Sequence, residues 1–175
     1  RLLSRGGTSG IEEYTRALIR NILKVDKRNR YEFFYNSFKN KSPDVGGLVH
    51  SFGWPNKLFD LSSRIFHFPK IDKYFKPDLI FSPHFNILST MKETPRILTI
   101  HDLSFIHHPD FFSLRHKAWH YLQNISRQLK GARAVVTDSD FTKSDIVNTF
   151  GINENKIFRI YPGIDTSFKI LKNKD

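Results

Sequence analysis

An apolar run, Ile97, Leu98, Thr99 and Ile100, stops abruptly at two polar side chains that can carry charge, His101 and Asp102. The run is short, rich in β-branched residues and preceded by Pro95, which favours a buried strand over a helix. A strand buried on both faces belongs to a parallel sheet. Ligands of open parallel sheets bind at the carboxyl ends of the strands. A His–Asp pair at such an end is placed to hydrogen-bond a ligand; the plainer alternative is that His101 only ties down a neighbouring loop. Residues 77–84 read as a second strand of the same kind, with Ser82 and His84 at its carboxyl end.

A second candidate lies near the start of the chain. Gly6 and Gly7 sit in a glycine-rich stretch, residues 1–10, that runs into a helix over 11–25. Ile11, Tyr14, Leu18, Ile22 and Val25 repeat at helical spacing, and Ser9 with Glu12 spells a capping box. Free N–H groups and the helix dipole at such an end favour an anion, and glycine lets the backbone approach it. The alternative is a plain tight turn, because neither a dinucleotide fingerprint nor a P-loop spacing is met. Such a loop ordinarily follows a strand. Only Arg1, Leu2 and Leu3 precede it here, so the expectation is that a first strand is missing from the sequence.

The elements that would position these residues alternate. Strands are expected over 31–35, 48–52, 77–84, 97–100, 132–137 and 156–161. Helices are expected over 11–25, around 58–66, over 113–130 and over 141–150, the last opened by Asp138, Ser139 and Asp140. On the 113–130 helix, Leu114, Ala118, Tyr121, Leu122, Ile125 and Leu129 form the expected core face. His116 and His120 lie one turn apart, but no third ligand is near, so they are read as a solvated face rather than a metal site. Alternation of this kind gives an α/β fold with a parallel sheet flanked by helices. Gly6, Gly7, Ser82, His84 and His101 are then expected at one sheet edge.

Composition narrows the function classes. The chain has 175 residues, 39% hydrophobic and 26% charged, enough for one globular domain. Cysteine is absent, which excludes disulfides and thiolate metal sites. No apolar run approaches a membrane span. The net charge of +11 draws the chain toward anions: nucleotides, phosphorylated substrates, acidic headgroups or nucleic acid. Lys and Arg are spread along the chain without a recognition motif, which argues against nucleic acid. Phe59, Phe66, Phe68 and Phe75 lie among lysines and arginines. They are core rings or a contact with an anionic bilayer.

Four segments, in this order, resemble the N-terminal domain of glycosyltransferase family 4, retaining enzymes of the GT-B fold. They are Gly6-Gly7 running into Glu13-Tyr14; Thr99 to Leu103 with Pro109 following; Thr137 to Ile146; and Ile160 to Asp165. Each alone is weak; their order and spacing cover nearly the whole chain. The resemblance implies a Rossmann-like domain over 1–165, the start of an interdomain linker over 166–175, and a C-terminal donor-binding domain outside this sequence. It implies that Gly6 and Gly7 meet the donor diphosphate and that His101 hydrogen-bonds the transferred sugar, with Asp102 orienting His101 or shaping the loop. Ser82, His84 and Ser104 would border the acceptor.

The implied reaction is transfer of a hexosyl group, mannosyl being the favoured case, from GDP-mannose or a UDP-sugar to a saccharide or lipid-linked acceptor in cell-envelope polysaccharide or glycolipid synthesis. The nucleotide-sugar is a co-substrate; no further cofactor and no metal are implied, and the expected location is cytoplasmic, at the inner face of the plasma membrane where peripheral. The alternative class is a non-catalytic basic α/β module binding nucleic acid or an anionic membrane.

Overall fold

The computed structural model describes residues 9–38, 45–164 and 168. Gly6 and Gly7, the missing-strand expectation and most of the expected linker lie outside these residues. Helix α1 (Gly10–Val25) begins as its sequence specifies: the Ser9 hydroxyl accepts the Glu12 N–H, and the Glu12 carboxylate accepts the Ser9 N–H. Strands β1 (Glu32–Tyr35) and β2 (Leu48–Ser51) pair in parallel. Helices α2 (Asn56–Ile65) and α3 (Ile71–Phe75) lead to β3 (Ile80–Ser82) and β4 (Arg96–Ile100). Helices α4 (Ser104–His107), α5 (Leu114–Gln123) and α6 (Ile125–Gly131) connect β4 to β5 (Ala134–Thr137); α7 (Asp140–Phe150) connects β5 to β6 (Ile157–Arg159).

All pairings are parallel, and the fold is α/β with helices against parallel sheets. The strands form two sheets among the described residues, β1–β2 and the sequential order β3–β4–β5–β6, not the one sheet expected. Leu98, Ile100, Val135 and Ile157 from the larger sheet meet Ile125, Leu129 and Ile146 from α6 and α7 in one core. The smaller sheet packs an aromatic cluster in which Phe34 lies 5.6 Å from Phe52, 5.9 Å from Phe59 and 6.0 Å from Phe75. Of the four rings left between core and bilayer, Phe59 is therefore buried and Phe75 packed, whereas Phe66 and Phe68 are exposed.

The 113–130 helix is corrected by the structure. It breaks at Asn124, whose φ of 47° places it in the left-handed region that Asn enters more readily than most residues. The break is held by Gln123, which is fully buried. Its Oε1 accepts the Ile87 N–H at 2.6 Å, and its carbonyl accepts Gln128 Nε2 at 2.7 Å. Beyond the break Ile125 and Leu129 turn inward as expected. Before it, Leu114 is 84% and Tyr121 75% exposed, because the inward side of α5 is taken by Gln123, Trp119 and His120. Helix α2 packs against α5 with polar residues on its inward side too. Phe59, Asp60 and Ser63 face inward while Leu58, Leu61 and Ile65 face outward. Among the described residues no helix is long and apolar enough to cross a membrane.

Candidate active site

Residues just past the carboxyl ends of three adjacent strands converge. His101 follows β4, Asp138 follows β5 and Pro83 follows β3. His101 Nδ1 lies 3.1 Å from Asp138 Oδ2, and its Nε2 lies 3.1 Å from the Pro83 carbonyl oxygen. Both partners are acceptors, so the two bonds together call for a proton on each ring nitrogen. The first turn of α7 steadies the backbone here: Ser139 caps the helix, and the Thr142 hydroxyl donates to the His101 carbonyl at 2.9 Å. Tyr14 of α1 sets its ring edge-on to His101 at 4.9 Å, which brings the helix after the glycine-rich loop to the same place. Burial pushes the Tyr14 phenol up, and the Asp138 charge adds to the effect.

The other residues expected at this edge divide. His84 is there, its ring 6.4 Å from His101 and near-parallel to Trp119 at 6.2 Å. It is buried, and its Nδ1 has no hydrogen-bond partner among the described residues. Burial lowers its pKa from 6.5 to about 4, with the positive charges of His101 and His120 contributing. Ser82 is buried with its hydroxyl accepting Arg96 Nε at 2.9 Å, so its polar atom is engaged inside the fold. Asp102 is exposed and pairs with Ser104. Its Oδ1 accepts the Ser104 N–H at 2.9 Å and the Ser104 hydroxyl, closing a local turn into α4. Of its two expected roles it fills the one in the loop, and Ser104 is its partner.

Asp138 and Tyr14 are the residues that sequence reasoning missed. Asp138 directly follows the strand that ends at Thr137, the same signal that singles out His101, but the sequence offers it as part of a helix cap and of a segment resembling the family, with no site role. Tyr14 likewise stands in the sequence as an apolar repeat of α1 and part of a resembling segment, with no site role. His120, read as part of a solvated face, is half-buried and stacks on Phe105 with ring centroids 4.3 Å apart. His116 is exposed.

His84 makes stability depend on pH. Its folded-state pKa lies below its unfolded value, so the unfolded chain binds the extra proton between pH 6.5 and about 4. Stability from this group is present above pH 6.5 and is lost as pH falls toward 4, by up to about 3 kcal/mol. A series of thermal melts should show Tm falling through that window, and His84→Gln should flatten the fall. An equal slope in wild type and variant would refute the assignment.

The hydrogen-bonding groups gather at the carboxyl edge of an open parallel sheet, the edge at which folds of this class bind ligands. The comparisons make the class specific. The chain belongs to Glycosyltransferase Family 4, whose family model matches residues 8–168. No curated protein matches it. Among solved structures, Anabaena HepE in complex with UDP and glucose is similar in fold, with a TM-score of 0.52 at 18% identity. The match covers 93% of this chain and 43% of HepE, so the chain spans less than half the length of that structure's chain.

Proposed function

We propose that this chain is the N-terminal, acceptor-side half of a retaining hexosyltransferase that uses a nucleotide-sugar donor. The observation that carries the reading is the meeting of His101, Asp138 and the Pro83 carbonyl at the strand ends of a family 4 chain. The ring nitrogen now spent on Pro83 turns to an oxygen of the transferred sugar, while Asp138 keeps the imidazole oriented. Gly6 and Gly7 bring N–H groups to the donor diphosphate at the α1 end, where Tyr14 adjoins His101. His84, Ser82 and Ser104 border the acceptor, a saccharide or lipid-linked saccharide. His84 supplies an uncharged ring, and Ser82 and Asp102 shape the border through the bonds they already make.

The second half of the site, with the groups that read the nucleotide, belongs to a C-terminal domain. The diphosphate leaves from the anomeric carbon, and the acceptor hydroxyl attacks from the same face. The protein contributes positioning and electrostatic stabilisation of the developing charge. UDP and glucose in the HepE complex support the nucleotide-sugar class; GDP-mannose with mannosyl transfer is the favoured case within it. The setting is cell-envelope polysaccharide or glycolipid synthesis at the cytoplasmic face of the membrane. The outward apolar side of α2 and the net charge of +11 support peripheral contact with an anionic bilayer.

The test is turnover by the full-length protein with labelled GDP-mannose, UDP-glucose and related donors in the presence of acidic or neutral vesicles. The expected result is transfer from one donor with retained anomeric configuration, and co-sedimentation with acidic vesicles only. Inversion, or no transfer from any nucleotide-sugar, would refute the reading.

A further inference from the structure

The amino ends of the larger sheet hold a second cavity, on the edge away from His101. Arg96 opens β4 and Ala132 precedes β5, and both line it. It measures about 230 Å³, below the about 300–1,000 Å³ of sites for drug-sized ligands. Its wall carries Arg64, Lys70, Lys92, Arg96 and Arg127, and no Asp or Glu is among the described residues lining it. Gathering like charges costs Coulomb energy that an anion would offset.

These cations are held in place. Arg96 is buried and donates from Nε to Ser82 Oγ and from Nη2 to the Asn86 carbonyl at 3.2 Å, two neutral acceptors. Burial without a counter-charge lowers its pKa to about 10. Arg127 donates from Nη1 to His67 Nε2 at 2.9 Å, and His67 Nδ1 lies 3.2 Å from the Ser63 carbonyl. That pair of bonds fixes one neutral His67 tautomer, with its hydrogen on Nδ1. His67 itself is held at φ 51°, a conformation uncommon for a residue with a side chain. Lys70 donates to the Thr90 carbonyl at 2.7 Å.

An independent observation points to a ligand. Four polar atoms of residues that line the cavity are buried without a hydrogen-bond partner among the described residues: Ser63 Oγ, Arg64 Nη1, Ser89 Oγ and Gln128 Oε1. Ser63, Ser89 and Gln128 are each at least nine-tenths buried. Unmet buried groups cost free energy. Two hydroxyls and a guanidinium among cations form a donor set for phosphate oxygens, and the amide oxygen beside them accepts from a hydroxyl.

We propose that this cavity binds a small phosphate-bearing anion, a phosphate or diphosphate ester with a hydroxyl on a short carbon skeleton. The phosphate lies among Arg64, Lys92, Arg127 and the Ser63 and Ser89 hydroxyls, and the ester's hydroxyl meets Gln128. The site stands apart from the His101 cleft and does not rest on the transferase reading. Arg96 links the two edges, since it holds Ser82 beside the Pro83 carbonyl that holds His101.

The probes are inorganic pyrophosphate and glycerol 1-phosphate, titrated calorimetrically into the chain at fixed ionic strength, and flotation with vesicles containing phosphatidic acid. The expected result is binding weakened at least tenfold by Arg127→Glu and by Lys92→Glu, both exposed positions. Lys24→Glu, the same charge change outside the cavity, and His101→Ala should leave it unchanged. Binding of a soluble probe identifies a free phosphate ester as the source. Retention on phosphatidic acid vesicles alone, lost in both charge reversals, identifies a lipid headgroup. No binding of any probe, binding that survives both reversals, or binding lost in His101→Ala would overturn the proposal.

Discussion

Replacing His101 with Ala in the full-length enzyme should lower kcat on the order of a hundredfold, equivalent to about 2.7 kcal/mol of transition-state stabilisation. The expectation follows from how the ring is held. Strands β3, β4 and β5 end side by side; the residue after β4 supplies the imidazole, and the residues after β3 and β5 each contribute one partner to it. A donor fixed before the reaction costs no reorganisation as charge develops on the sugar and the departing diphosphate. Removing the ring also leaves Asp138 without its partner, so Asp138→Asn should fall between wild type and His101→Ala. The Asn keeps the size of the group but gives up the charge opposite Nδ1. KM for the donor should move less than kcat, because the interaction strengthens in the transition state. The measurement is kcat and KM beside a thermal melt of each variant. Wild-type turnover in His101→Ala at unchanged Tm would show the ring to be a brace between strand ends and nothing more.

How much of this was legible depended on whether a feature is local. The capping box of α1 is contained in four residues, and it forms as written. The buried strand ending before His101 rests on the short apolar run 97–100, and β4 spans Arg96–Ile100, one residue longer at its start. The partner of His101 was not legible, because it lies 37 residues away and its adjacent neighbour Asp102 offered a closer carboxylate. Asp102 lost that role to the Ser104 N–H, one of the local bonds that Asp side chains make readily. Ser82 sits at the strand end where it was expected, yet the sequence carried no sign that Arg96 would bury itself against the hydroxyl. The inward face of α5 was hidden for a related reason. Periodicity shows which residues share a side of a helix, but not which side faces in when polar groups have buried partners.

Gln123 is the clearest case of such a polar group, and Gln123→Ala should destabilise the fold by about 3–5 kcal/mol. Two costs combine. The Ile87 N–H, buried in the 83–95 connection, loses its 2.6 Å acceptor, and an orphaned buried donor costs about 1–3 kcal/mol. The lost side chain also leaves a cavity beside the core residue Phe85, whose carbonyl accepts Gln128 Nε2 from the same cluster. For a chain of 175 residues, a loss of that size corresponds to a fall in Tm of about 6–20 °C. Gln123→Met separates the two costs: it fills the volume while leaving the Ile87 N–H unpaired, so it should lose about 1–3 kcal/mol. The same bonds fix the break at Asn124, and through it which side of α5 faces the core. Both variants should therefore loosen the 83–95 connection and raise amide exchange at Ile87 relative to residues in β5. A Tm within about 2 °C of wild type for Gln123→Ala would mean that Ile87 finds another acceptor and that the helix break is held by Asn124 alone.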